Sequence, residues 1–378
     1  MKRAWAPAAS LGLLALLAVG AFLFRLHDIE ARPIHTDEAV HAYKLGQLLE
    51  RGFYRYDPVD YKGPTLAFLS APVALLRGER SHAELTLVTL RLVPLMLASL
   101  LIVAPWLGRR WLGNSGAVAA GALLAFSPAF TFYSRHHIHE MLFALLLVAI
   151  ACWLPTCLRE PARWRLVVAG VLAGLLHATK ETCVLAVAAL ALGAAIVLLA
   201  GASREQVRAR LRGLCTTREG FFFLLPAVGI SVLLYSSFLT QPGGVVDSVR
   251  AYWLYIGRGS GPSGHEQPWW WYTTLALWNG RWPRLWWSEA PVVALALGAA
   301  AAACLRPRAG DGGRVAFARA LAIATTALWA MLSAIPYKTP WNLLAPLAWS
   351  ALLGGWLIGK LASSAAWWTR GLAAVLLA

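Results

Sequence analysis

An adjacent carboxylate pair, Asp37-Glu38, lies in the run Ile34-His35-Thr36-Asp37-Glu38-Ala39-Val40-His41-Ala42-Tyr43, between two strongly apolar stretches. Ionised side chains beside lipid are costly, so an acidic pair at such a place points to chemistry. A hydroxyl is a poor nucleophile until a carboxylate takes its proton or a metal ion polarises it, and neighbouring carboxylates can divide those tasks. The plainer account is a helix start, with Thr36 or Asp37 capping a helix over 38–49 and an acidic first turn suiting its dipole. The two accounts are compatible.

Further along comes Tyr133-Ser134-Arg135-His136-His137-Ile138-His139-Glu140. Arg135 carries the planar fork that grips a phosphate with two parallel bonds. Glu140 can hold a divalent metal ion, with Asp37 as a second ligand, or a pyrophosphate-bridging group. Three histidines invite a metal reading, but their order is not His-Glu-x-x-His, and interfacial histidines explain them equally. Lys62 precedes Gly63-Pro64, where an ammonium and a helix start jointly meet an anion. Lys180-Glu181 and Tyr337-Lys338-Thr339-Pro340-Trp341 occupy two further turns. A single interfacial lysine normally snorkels. Four cations in turns on the side of the acidic pair, Lys62, Arg135, Lys180 and Lys338, fit a polyanionic ligand such as a lipid phosphate.

The elements that must hold these residues are membrane helices. Of 378 residues, 59% are hydrophobic and 14% charged, against about 45–50% and about 25% in soluble domains. The chain reads as one all-α polytopic membrane domain over 1–378. A net charge of +16 suggests nucleic acid in a soluble protein, but its placement in short loops excludes that here. With about 20 apolar residues per crossing, spans are expected at 8–24, 84–105, 115–133, 141–158, 164–180, 182–200, 220–239, 288–305, 318–335, 341–359 and 364–378. That is about eleven transmembrane helices. The stretch 64–77 is too short to cross and reads as an interfacial or re-entrant helix.

With the N-terminus in the cytoplasm, eighteen Lys and Arg fall in short inner segments, while the short outer ones hold only Arg135, Lys180 and Lys338. Fourteen of the 18 acidic residues then lie outside, and two long outer segments appear, 25–83 and 240–287. The site is therefore expected on the extracytoplasmic face of a plasma membrane. Segment 240–287 is rich in tryptophan, as headgroup-level helices are; stacking on a sugar or isoprenoid is the sharper alternative. His265-Glu266, among glycines and serines, reads as a mobile loop. Five cysteines show no zinc or disulfide spacing. The start reads as an uncleaved span, with no soluble domain expected at either end. Arg91, a charge inside an apolar run, receives no role.

These residues, in this order, resemble the GT-C class of membrane glycosyltransferases, specifically protein O-mannosyltransferases and lipid A aminoarabinose transferases. The likeness rests on the acidic pair in a long first outer loop, Lys62-Gly63-Pro64, Leu90-Arg91-Leu92-Val93-Pro94, and Ser134-Arg135 followed by Glu140. The run Tyr337-Lys338-Thr339-Pro340-Trp341-Asn342 resembles a sub-branch associated with flippase activity. The family more often has Asp where Glu140 stands, and a second proline where Gly63 stands; no large outer domain is seen. The resemblance implies a GT-C fold, a polyprenyl-phosphate-linked sugar as donor and inversion at the anomeric carbon. It further implies Asp37 as catalytic base, Glu38 and Glu140 at the acceptor or metal position, and Arg135, Lys62 and Lys180 on donor phosphate. The acceptor is open: protein, lipid or glycan. Rival classes are a transporter or flippase component for lipid-linked sugars and a non-catalytic partner. Transporters place broken helices and polar sites near mid-membrane, whereas here polar residues collect at outer turns.

Overall fold

The computed structural model describes residues 6–59, 63–160, 162–200, 205, 217–260, 264–281, 285–305, 312–364, 369 and 371. Helix α1 (Pro7–Leu26) leads to α2 (Thr36–Arg51), α3 (Thr65–Leu76), α4 (Leu87–Val103), the short α5 (Arg109–Leu112), α6 (Asn114–Phe126), α7 (Pro128–Tyr133) and α8 (Glu140–Arg159). There follow α9 (Arg163–His177), α10 (Cys183–Leu199), α11 (Thr217–Tyr235), α12 (Gly243–Ser260) and α13 (Trp271–Leu277). An antiparallel pair, β1 (Asn279–Arg281) and β2 (Leu285–Trp287), precedes α14 (Ala290–Cys304), α15 (Gly312–Ala334) and α16 (Leu344–Ala362).

Among the described residues, five helical stretches are long and apolar enough to cross a membrane: Pro7–Leu26, Leu87–Leu112, Glu140–Arg159, Gly312–Ala334 and Pro340–Ala362. The shorter apolar helices Asn114–Phe126, Cys183–Leu199, Glu219–Tyr235 and Ala290–Cys304 stand where other spans were expected, as does α9. The expected span 364–378 falls almost wholly outside the described residues. Helix α3, at 12 residues, has the predicted short length.

The core forms around α16, which packs against α6, α8, α14 and α15. Trp349 is fully buried there and donates its indole N–H to the Leu147 carbonyl at 3.2 Å. Small residues let α6 and α16 approach closely. A Cβ on Gly116 would stand 2.9 Å from the Gly355 carbonyl oxygen, so any larger residue pushes the helices apart.

Two local departures from the sequence reading matter for the site. The expected span 115–133 breaks at Ser127, whose hydroxyl accepts from Phe130 N at 3.2 Å while Pro128 opens α7. Glu289, from the start of α14, accepts from Ser127 Oγ at 2.7 Å and from Ala129 N at 2.8 Å. This second cap comes from far along the chain. Helix α2 is capped neither by Thr36 nor by Asp37 but by His35. Its ring accepts from Asp37 N at 3.1 Å, while Glu38 reaches back to His35 N at 3.0 Å, a reciprocal capping box.

Candidate functional site

Glu38 is fully buried, and Arg91 from α4 meets it with two parallel bonds, Nε to Oε1 and Nη2 to Oε2, both 3.0 Å. The backbone N–H of His137 adds a bond to Oε1 at 3.0 Å, and Arg32 stands 3.6 Å from Oε2. Burial alone would raise this carboxyl, but the bonds from Arg91, His35 and His137 outweigh it and hold its pKa down to about 2. Arg91 also donates to the carbonyls of Ile29 at 2.8 Å, Arg32 at 2.9 Å and Pro33 at 3.1 Å. The charge that the sequence left without a role thus clamps the whole 29–38 segment, and Glu38 is its counter-ion. The expectation of Glu38 at an acceptor or metal position meets a carboxylate whose oxygens are already bonded.

The 132–140 turn is laced to that segment. Arg135 donates to the carbonyls of His27 (2.9 Å) and Asp28. Arg32 donates to the Arg135 carbonyl at 2.7 Å and to the ring of His136. The His136 Nδ1–H is then the donor to the Phe132 carbonyl at 3.0 Å. Burial first, and then the Arg32 guanidinium, lower His136 to about 4; burial does the same to His137. His137 hydrogen-bonds the Leu90 carbonyl at 2.8 Å and His139 the Gly63 carbonyl at 2.8 Å. These imidazoles pack loops together. Gly63 lies so close to the carbonyls of Ala178 and Thr179 that no Cβ fits. This explains why glycine stands where the family has its second proline.

Glu140, at the start of α8, meets Lys180 at 2.7 Å, and the same ammonium donates to Asn342 Oδ1 at 2.6 Å. The three residues line a small pocket with Phe143, Thr182, Trp341, Leu328 and Leu332. An ammonium has three N–H groups, and these two bonds use two of them. His35, which caps α2 two residues before Asp37, sets its ring 5.7 Å from that of Trp341. The start of α2 is thereby joined to the rim of the cavity. Asp37, Glu140 and Lys180 thus belong to one end of the bundle.

The other predicted cations fare differently. Lys338 is buried and donates to the Gln267 carbonyl at 3.1 Å and to that of Ile335; burial lowers its pKa. With Lys338 N on the His265 carbonyl and Gln267 N on that of Pro336, both at 3.0 Å, residues 265–267 are pinned down where a mobile loop was expected. Arg135 is engaged by carbonyls, and Lys62 lies outside the described residues. Among the described residues no group of three or more His, Cys, Asp or Glu is arranged for a metal ion. At Glu140 the Lys180 ammonium already stands where a metal would bind, so the donor set does not fit the expected divalent ion.

Sequence reasoning gave no role to Asn342 or to a buried carboxylate, Glu181, which accepts from Tyr56 at 3.1 Å. Burial and this acid push the Tyr56 phenol well above its ordinary pKa, keeping it a donor. Asn342 follows Trp341 at the start of an apolar helix, and an amide at that position was the available signal.

Residues 62–228 match the family model described as dolichyl-phosphate-mannose-protein mannosyltransferase. In overall structure the chain resembles ArnT from Cupriavidus metallidurans bound to undecaprenyl phosphate. The TM-score is 0.66 at 16% identity, covering 96% of this chain and 62% of that one. The chain has the GT-C fold. A second GT-C relative is the oligosaccharyltransferase AglB from Archaeoglobus fulgidus with an inhibitory peptide and a dolichol-phosphate. There the TM-score is 0.63 at 14% identity, covering 98% of this chain and 54% of that one. This GT-C chain therefore spans less than two thirds of the length of either relative. No curated protein matches it in sequence. The family match includes Arg91, Arg135, Glu140 and Lys180 but begins after Asp37-Glu38.

Proposed function

We propose that this GT-C chain is an integral-membrane glycosyltransferase, moving a hexosyl or pentosyl group from a polyprenyl-phosphate donor to an acceptor hydroxyl. The contact of His35 with Trp341 carries the reading, because it brings the start of α2, with Asp37, to the rim of the Glu140–Lys180 cavity. Lipid phosphates bound in ArnT and AglB support the donor class.

In this reading Asp37 takes the acceptor's proton as its oxygen bonds the anomeric carbon, and the bond from that carbon to the phosphate oxygen breaks with inversion. The electron pair leaves on the lipid phosphate, where the third N–H of Lys180 meets the growing charge. Glu140 and Asn342 aim that ammonium. Arg91 and Glu38 keep the Asp37 segment in place. Lys62 and Arg135 remain as further phosphate contacts that the family likeness suggests.

The working face is proposed to be extracytoplasmic, on a plasma membrane. Helix α1 starts beside the arginine-rich end of the bundle, the Pro7 carbonyl accepting from Trp106 Nε1 at 3.4 Å and Arg109 lying 3.8 Å over that indole. Basic residues mark the cytoplasmic side, so the N-terminus is assigned there and the Asp37 end opposite.

Purified protein incubated with radiolabelled polyprenyl-phosphate sugars tests the reading. Asp37→Asn should abolish transfer while leaving the protein folded. Unchanged turnover removes the proposal, and counter-flow in liposomes without covalent transfer replaces it with transport.

A further inference from the structure

Asn342 closes the Tyr337–Asn342 run but received no role from the sequence, yet it is buried and holds Lys180 at 2.6 Å. An ammonium only donates, so the amide presents its oxygen to Lys180. The Tyr272 phenol donates its proton to the Thr339 carbonyl at 3.1 Å. That bond ties the tryptophan-rich segment, through α13, to the turn that carries Asn342.

We infer that Asn342 is the positioning residue that fixes the Lys180 ammonium without neutralising it, so that the cavity selects a phosphorylated polyprenyl lipid over its uncharged alcohol. The inference rests on the function proposed above and deepens it. Lys180 already has one counter-charge, Glu140, at 2.7 Å, and the cavity's other lining groups are a hydroxyl, an amide, aromatic rings and aliphatic chains. The Glu140–Lys180 pair is therefore neutral before ligand arrives. A neutral acceptor at position 342 aims the third N–H and leaves the anion one cation to meet. A carboxylate there would surround Lys180 with two negative charges and repel a phosphate. An amide accepts from the ammonium and adds no charge.

The experiment compares undecaprenyl phosphate with undecaprenol as probes, binding each to the full chain in detergent. Asn342→Asp should weaken undecaprenyl phosphate by about tenfold or more through like-charge repulsion, while undecaprenol binding stays unchanged. Asn342→Leu, which removes the acceptor without adding charge, should lose less phosphate binding and again spare the alcohol. It also serves if Asn342→Asp fails to fold. Equal loss of both lipids would mean a merely structural amide and would overturn the inference, as would unaltered phosphate binding by the folded variants. If the unaltered protein does not prefer the phosphate, the donor reading falls and this inference with it. If it does and only the Asn342 result fails, the donor reading stands.

Discussion

The two ends of the bundle handle charge in opposite ways. At the Asp37 end, Glu38 and Arg91 are both fully buried, Glu140 nearly so and Lys180 for the most part. Glu38 faces Arg91 and Arg32 with backbone hydrogen bonds besides, and Glu140 faces Lys180. At the other end, Arg110 and Glu160 form a pair that is about half exposed, Arg159 stacks on Trp111 and Lys360 on Trp356. Exposed pairs contribute little and tolerate change. Buried pairs carry a desolvation cost that Coulomb attraction only offsets when the geometry is good, and they fail badly when one partner is lost. The first end therefore fixes geometry, and the second needs only positive charge somewhere near a surface.

The largest expected effect breaks the buried clamp. Arg91→Leu takes from the buried Glu38 carboxylate its two-bond partner, leaving Arg32 at 3.6 Å, and releases three loop carbonyls, which should destabilise the fold by about 3–5 kcal/mol. The folded fraction in detergent reads this out, and the double variant Glu38→Leu/Arg91→Leu should recover part of it. A single variant as stable as the starting protein would erase the contrast between the ends. Next is Lys180→Met, which keeps the stem and removes the ammonium. A hydrogen bond to a charged group contributes about 1.5–3 kcal/mol, so KM for the lipid-phosphate sugar should rise about tenfold to a hundredfold, against little change for Lys338→Met in binding donor. Equal effects of the two would put Lys338 back among the phosphate ligands.

Much of this was legible in the chain because the bilayer forces apolar runs of fixed length. The helices, the short α3 and the Pro64 start all follow from that constraint. The acidic pair and Glu140 were readable because charges beside lipid are rare enough to stand out. What escaped was pairing across long stretches of sequence. Arg91 looked merely uncomfortable, and no local rule names Glu38, 53 residues away, as its partner. The cap that Glu289 gives α7 and the grip of Asn342 on Lys180 are equally remote. Local rules also misjudged the loop around His265, where glycine and serine suggested motion while backbone bonds to residues 336 and 338 hold it. Lys62, Arg135, Lys180 and Lys338 looked alike in sequence, and only their neighbours separate a cation aimed into a cavity from one consumed by carbonyls.

A smaller effect sharpens the comparison through pH. Burial holds His136 and His137 near 4 against an ordinary 6.5. Between those values the unfolded chain binds more protons than the folded one. Their contribution to stability is whole above 6.5 and is lost as pH falls toward 4. Glu38, held at about 2 against 4.5, adds a contribution that is whole above 4.5 and lost as pH falls toward 2. The Tm should therefore begin to drop near pH 6.5 on acidification, before carboxylates protonate. His137→Gln, which can still donate to the Leu90 carbonyl, should flatten the upper part of that decline. An identical slope in the variant would show that the buried imidazoles are not its source.

The smallest structural effect belongs to the arginine end. Arg109 over Trp106 is a half-buried cation–π contact of a kind that contributes about 0.5–1 kcal/mol near a surface, so Arg109→Gln should leave Tm nearly unchanged. If the positive charges there set orientation and not stability, accessibility from the two sides of the membrane is the better readout. Cys304 is exposed and near that end, where Arg319 holds the carbonyls of Ala303 and Leu305. Cys152, Cys157 and Cys183 are buried, and Cys215→Ser removes the remaining thiol. A membrane-impermeant maleimide should then leave Cys304 unmodified in intact cells and label it once they are permeabilised. Labelling without permeabilisation would place the arginine end outside and the Asp37 end in the cytoplasm, reversing the assigned face while leaving the pairing at that end as it is.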